Sequence, residues 1–164
     1  MEVLIFIGLQ ASGKSSFYRQ KFVDSHIRLN MDMLKTRHRE KLLFDACLMA
    51  KQPVAIDNTN PTKADRQKYI LPAIKHQFKI SGYYFQSNVE ECIRRNNLRR
   101  GKSKIPLVGV LATAKKMELP SYEEGFNRLF YVKVTGSSLT ESISTTYLPG
   151  KKEVRDFTGK SIKR

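Results

Sequence analysis

"VLIFIGLQASGKSS", residues 3–16, decides how the rest of the chain is read. Val3-Leu4-Ile5-Phe6-Ile7 is an unbroken run of apolar, mostly β-forming residues. Such a run suits a strand buried on both faces, as in a parallel sheet covered by helices. Gly8 and Gly13 then bracket a short loop, and Lys14 and Ser15 follow directly. Glycine permits the backbone to turn its N–H groups inward and to approach an anion without a side chain in the way. A helix opening at Lys14 adds the positive end of its dipole. This is the spacing of a phosphate-binding loop, with Lys14 reaching the β- and γ-phosphates and the Ser15 hydroxyl ligating Mg²⁺. Gly8, Gln10, Ala11, Ser12, Gly13, Lys14, Ser15 and Ser16 are therefore the expected nucleotide contacts, with ATP and Mg²⁺ as cofactors. Switches, motors, ATPases and kinases all use such a loop, so the rest of the chain must choose between them.

Outward from the loop, short apolar runs alternate with helical stretches, the pattern of an α/β fold built on a parallel β-sheet of about five strands flanked by helices. Strands are expected at 3–7, 27–30, 54–57, 78–85 and 129–134. Helices are expected at 14–23, 33–51, from Pro61 to about 76, at 89–99 and from Pro106 to about 117. The helix at 33–51 rests on the spacing of Leu43, Ala46, Cys47 and Ala50. Asn60 reads as a helix cap with Pro61 in the first helical position; Pro72 should interrupt or kink that helix, and Gly82 should disturb the fourth strand. The domain is expected to occupy 1–135. Residues 136–164, rich in Ser, Thr, Gly and Lys, read as a loosely packed or disordered basic tail.

Composition narrows the function further. The chain has 164 residues, 40% of them hydrophobic, which suits one domain with a real core. No apolar run approaches the roughly 20 residues that span a bilayer, and no signal peptide is recognisable, so no membrane association is expected. Thirty Lys+Arg against fifteen Asp+Glu give a net charge of +15, a field that draws polyanions. Cys47 and Cys92 stand alone in apolar stretches and read as buried residues of a reducing, cytoplasmic compartment. His26, His38 and His76 lack ligand spacing.

Three segments carry transferase chemistry. In "LNMDMLK", Asp32 stands at a strand-to-helix turn on the ligand-binding edge of such sheets, where it can accept the proton of an attacking hydroxyl; the competing role is a helix cap. Lys35, one turn on, can hold an acceptor phosphate or simply be solvated. In "VAIDNTNP", Asp57 can sit near the magnesium water shell, and Asn58, Thr59 and Asn60 can hydrogen-bond the acceptor or shape the loop. In "CIRRNNLRRGKSKIP", Arg95 and Arg99 share a helix face and Arg100 follows, a cluster able to close over a triphosphate as a helical lid and exclude water. As an isolated run it is equally a solvated face or a nucleic-acid patch.

Together "GLQASGKSS", "NMD", "VAIDNTNPTKADRQKYI", "RRNNLRRGKSKIP" and "LPSYEEGF" resemble the kinase domain of polynucleotide 5′-hydroxyl kinases, over residues 3 to about 134 and in the same order. The resemblance implies a P-loop kinase fold and transfer of the ATP γ-phosphate to the 5′-hydroxyl end of DNA or RNA. It assigns Asp32 as general base, Lys14 and Ser15 as ATP and metal contacts, and Arg99 or Arg100 as lid arginine. Two departures stand out. Met31 occupies the place of a frequent arginine before the base, and Lys35 the place of an arginine after it, losing the bidentate fork. No phosphatase or ligase segment is recognisable, so strand-end healing would call on separate proteins for those steps. Two other classes remain open at this level: a P-loop kinase acting on a small-molecule hydroxyl, and a nucleic-acid-binding ATP switch with little transfer activity.

Overall fold

The computed structural model describes residues 1–135 and 142–148. Six strands form one sheet: β1 (Glu2–Ile7), β2 (Ile27–Leu29), β3 (Val54–Ile56), β4 (Lys79–Phe85), β5 (Arg128–Thr135) and β6 (Ser142–Leu148). Their spatial order is β2-β3-β1-β4-β5-β6. β1 to β5 run parallel, and β6 pairs antiparallel with β5. The helices are α1 (Lys14–Lys21), α2 (Met31–Leu34), α3 (Arg37–Met49), α4 (Lys63–Lys75), α5 (Val89–Asn97) and α6 (Leu107–Lys115). Short 3₁₀ turns occupy Gly101–Ser103 and Tyr122–Glu124. No helix among the described residues is long and apolar enough to cross a membrane.

The sheet is the partition between two cores. Val3, Ile5 and Ile7 of β1 point to one side, with Leu29, Ile56, Phe44, Ile70 and Ile80. Leu4 and Phe6 point to the other, where Phe17, Tyr18 and Phe85 pack around them. Burial of β1 on both faces explains why its sequence does not alternate. The chain winds to β2 and β3 on one side of β1 and to β4 and β5 on the other. β1 thus lies at the topological switch point, where the crevice beyond the strand ends receives ligands. The phosphate-loop motif leaves the end of β1 at that crevice.

Several boundaries differ from the sequence expectation. The helix expected at 33–51 is two helices, because Lys35 adopts a left-handed φ of 69° and the Thr36 side chain accepts from the Arg39 N–H, capping a fresh helix. Its buried face is Glu40, Phe44, Cys47 and Leu48, while Leu43 is exposed; a buried ion-paired Glu40 hid the true stripe. Asn60 is not a cap. Thr62 is, accepting from the Asp65 N–H, and Pro61 precedes the helix. Pro72 lies within α4 without ending it. β6 adds a strand to the five expected and falls inside the stretch read as a tail; residues 136–141 and 149–164 of that stretch lie outside the described residues. Cys47 and Cys92 are free and buried, as expected.

Candidate active site

The loop after β1 wraps its own lysine. Gly13 opens α1 with a φ of 95°, and a Cβ there would meet the Val134 side chain at 2.7 Å. A Cβ on Gly8 would lie 2.9 Å from that of Phe85. Both glycines are thus required by close packing as well as by the turn. The loop is tied down by the Gly8 N–H donating to Thr59 O (3.0 Å) and by Gln10 Nε2 donating to Thr113 Oγ1 of α6 (3.0 Å). Lys14 Nζ donates to the carbonyls of Gly8 (2.9 Å) and Leu9 (2.5 Å) and to Ser12 Oγ (3.3 Å). Burial lowers its pKa from 10.5 to about 8, with the nearby charge of Asp57 pulling the other way.

Asp57 directly follows β3, its side chain 1% exposed. Its Oδ2 accepts from Ser15 Oγ (2.9 Å) and from Nε (2.8 Å) and Nη2 (2.5 Å) of Arg28 on β2. Arg28 Nη2 also donates to Ser15 Oγ (2.9 Å), and its guanidinium carbon lies 5.6 Å from the centre of the Tyr18 ring.

Asn30 does the capping that Asp32 was a rival for. Its Oδ1 accepts from the N–H groups of Asp32 (3.0 Å) and Met33 (3.3 Å), while its Nδ2 donates to Asp57 O (2.6 Å). Asp32 therefore stands in the first turn of α2 with an exposed side chain and a carboxylate that bonds to none of the described residues. Asn58 Oδ1 accepts from the Met31 N–H (3.0 Å), and its Nδ2 donates to the buried Glu40 (2.6 Å). Glu40 also holds Arg37 Nη1 at 2.7 Å. A buried Glu40 beside it, together with desolvation, raises the Tyr69 pKa.

A cleft of about 540 Å³ gathers these groups: the loop from Gln10 to Ser16, Asp32, Asp57, Asn58 and Thr59, with Arg19, Arg28, Arg37 and Arg99 around them. Gly8 and four further sequence candidates are not in this lining. Lys35 is exposed, its ammonium turned back onto the Asp32 carbonyl. Asn60 is buried and donates to Phe6 O at 2.8 Å, a brace for β1 rather than an acceptor contact. Arg95 lines a neighbouring pocket of about 380 Å³ with Ala11, Ser12 and Cys92, bonded to Glu91 (2.7 Å) and to Val134 O (3.1 Å). Arg100 precedes the 3₁₀ turn and does not line the cleft. Asn96 holds the segment around Arg99 and Arg100. Buried at the end of α5, it grips Ile105 at both N (3.0 Å) and O (2.7 Å), closing the turn that carries both arginines, of which Arg99 lines the cleft.

Sequence reading passed over Arg19, Arg28, Asn30 and Arg37. Asn30 was findable, since an Asn just before a short helix is a cap signal. The arginines carried no such signal; only the folded chain brings them to one place. Ser15 and Asp57 offer hard oxygen donors of the kind Mg²⁺ takes, and the loop with Lys14 offers anion donors, so the residues present fit a magnesium nucleotide.

The architecture and loop define the class: this is a P-loop kinase fold. Among solved structures, Kti12 of Chaetomium thermophilum in complex with ADP-AlF3 superposes with a TM-score of 0.61 at 17% identity, over 80% of this chain and 88% of that one. A gluconokinase of Sinorhizobium meliloti 1021 gives 0.59 at 16%, over 83% and 84%. Such identities speak for fold alone. Within the class, the chain is 30% identical over 133 residues to the bifunctional polynucleotide phosphatase/kinase of Schizosaccharomyces pombe, an alignment of 78% of this chain and 32% of that protein. The motif resemblance to polynucleotide kinases is borne out by that similarity, and the chain spans about a third of the curated relative's length. No family model matches the chain.

Proposed function

We propose that the protein transfers the γ-phosphate of ATP to the 5′-hydroxyl end of a polynucleotide, DNA or RNA, in the processing of nucleic-acid ends. One observation carries the reading: the Asp32 carboxylate, unpaired among the described residues, borders the same cleft as the phosphate loop. The net charge of +15 and the similarity to the yeast phosphatase/kinase support a polyanionic acceptor over a small neutral one.

In this reading, Asp32 accepts the acceptor hydroxyl's proton as its oxygen bonds to the γ-phosphorus and the bond to the β–γ bridging oxygen breaks, leaving ADP. Lys14 and Arg99 offset the charge that develops on the transferred group. Arg95 belongs to the nucleotide side, beside Ala11 and Ser12. Asn58 and Thr59 line the acceptor side. Mg²⁺, held by Ser15 and through its water shell by Asp57, would neutralise phosphate charge and hold the phosphates in line. Of the two lid candidates, Arg99 is the one assigned here. Lys35 and Asn60 have no part in it.

The test is label transfer from γ-labelled ATP with Mg²⁺ to matched DNA and RNA oligomers bearing 5′-OH or 5′-phosphate. Label should reach 5′-OH ends only, and Asp32→Asn should lower the rate about 10²–10⁴-fold while nucleotide affinity stays. Transfer to free nucleosides or sugars but not to oligomers would move the assignment to a small-molecule kinase. Undiminished turnover by Asp32→Asn would remove the base.

A further inference from the structure

We infer that Arg28 is a displaceable counter-cation, one that braces the Ser15–Asp57 pair and competes with the magnesium ion accompanying the nucleotide, thereby setting the Mg²⁺ level at which the nucleotide is held. The inference rests on the magnesium-nucleotide reading above and adds to it a residue that neither the phosphate loop nor the acceptor chemistry calls for.

The geometry is a closed triangle. Ser15 Oγ donates to Asp57 Oδ2 at 2.9 Å, and Arg28 donates to both, at 2.9 Å to the hydroxyl and at 2.8 and 2.5 Å to the carboxylate. Asp57 is buried, and a buried carboxylate needs a partner charge. Magnesium draws a direct oxygen ligand such as Ser15 Oγ to about 2.0–2.1 Å, and its bound waters need acceptor positions on Asp57. Arg28 Nη2 already occupies an acceptor position of Ser15 Oγ, and two of its nitrogens face the single oxygen Oδ2. For the metal and its waters to take these positions, the guanidinium must give way.

It has somewhere to go. The Arg28 side chain is 28% exposed, borders the cleft beside Asn30, Met31 and Asp32, and lies against the Tyr18 ring. A swing outward would leave the charge within the cleft. In either position Asp57 has a cation beside it, so the pair stays ordered throughout. A neutral side chain at position 28 would leave the oxygens free for metal from the start.

Calorimetric titration of β,γ-imido ATP at a series of free Mg²⁺ concentrations, with an EDTA arm, tests this in the full chain. Arg28→Met should reach half of its Mg²⁺-dependent gain in affinity at about fivefold lower Mg²⁺ than the unaltered protein, with no tighter binding in EDTA. Arg28→Lys, which keeps the charge but loses the fork, should fall between the two. If Arg28→Met fails to fold, Arg28→Lys decides alone: a lowered midpoint supports the competition. An unchanged or raised midpoint in the folded variants, with the analogue bound normally by the unaltered protein, overturns the inference and spares the nucleotide reading. Absence of analogue binding in all three proteins overturns both.

Discussion

Lys14 carries the consequence of holding a cation inside a loop of carbonyls. Its pKa falls from 10.5 to about 8 because burial penalises the charged form more than Asp57 rewards it. The sign follows directly. Below about pH 8 the folded chain carries the buried charge and its full penalty; between about 8 and 10.5 the folded form sheds its proton before the unfolded form does, and this residue's contribution to stability improves. Nucleotide binding has the opposite trend, since a triphosphate wants the charged lysine. The association constant for ATP should be level up to about pH 8 and fall by up to tenfold per unit above it, as read by equilibrium titration. Lys14→Met should remove that bend. Asp32 is simpler. Its proposed task depends on Asn30 taking the cap, which leaves the carboxylate without a bond to the described residues.

Among the elements, the loop before α4 and the segment between α6 and β5 are held together by one side chain of α4. Arg66 is fully buried and pairs through Nε and Nη2 with both oxygens of Glu124, at 2.6 and 2.8 Å. Its Nη1 donates to the carbonyls of Asn60 (3.2 Å), Pro61 (3.2 Å) and Glu118 (3.0 Å). The loop carrying Asp57, Asn58 and Thr59 is thereby fastened to the turn before β5. Arg66→Met should cost about 3–5 kcal/mol, because it strands the Glu124 charge in the interior, and urea denaturation would read it as a lowered midpoint with an unchanged slope. Arg66→Met combined with Glu124→Met should recover much of that loss. The elements also mark where sequence reading ran short. Strand runs were legible because full burial on both faces leaves a continuous apolar signature. The two-helix break at Lys35 was not, because a left-handed residue followed by a threonine cap leaves no gap in hydrophobic spacing. Arg99 and Arg100 were indistinguishable as neighbours; only the folded chain, in which Arg99 lines the cleft and Arg100 does not, separates them.

At the scale of the molecule, the excess of fifteen positive charges is not spread evenly in its consequences. Lys14, Arg19, Arg28, Arg37 and Arg99 border one cleft, and Glu40 and Asp57 are spent on holding two of them. A single-stranded acceptor that releases counterions on meeting three to five of the chain's lysines and arginines should bind with a log–log salt slope of roughly −2 to −3.5, measured by fluorescence anisotropy of a 5′-OH oligomer. A slope near zero would count against a polynucleotide acceptor.

The chain's own order of residues determined the phosphate loop, the buried strand before it, the helix after it and the acid at position 32, because each is local: a run, a pair of glycines and a turn lie within a few residues of one another. Tertiary structure alone decided the rest of the cleft. Arg28 meets Asp57, Asn58 meets Glu40, and Gly13 meets Val134 only when strands distant in sequence lie side by side, since register between strands is set by packing across the sheet and not by any one segment.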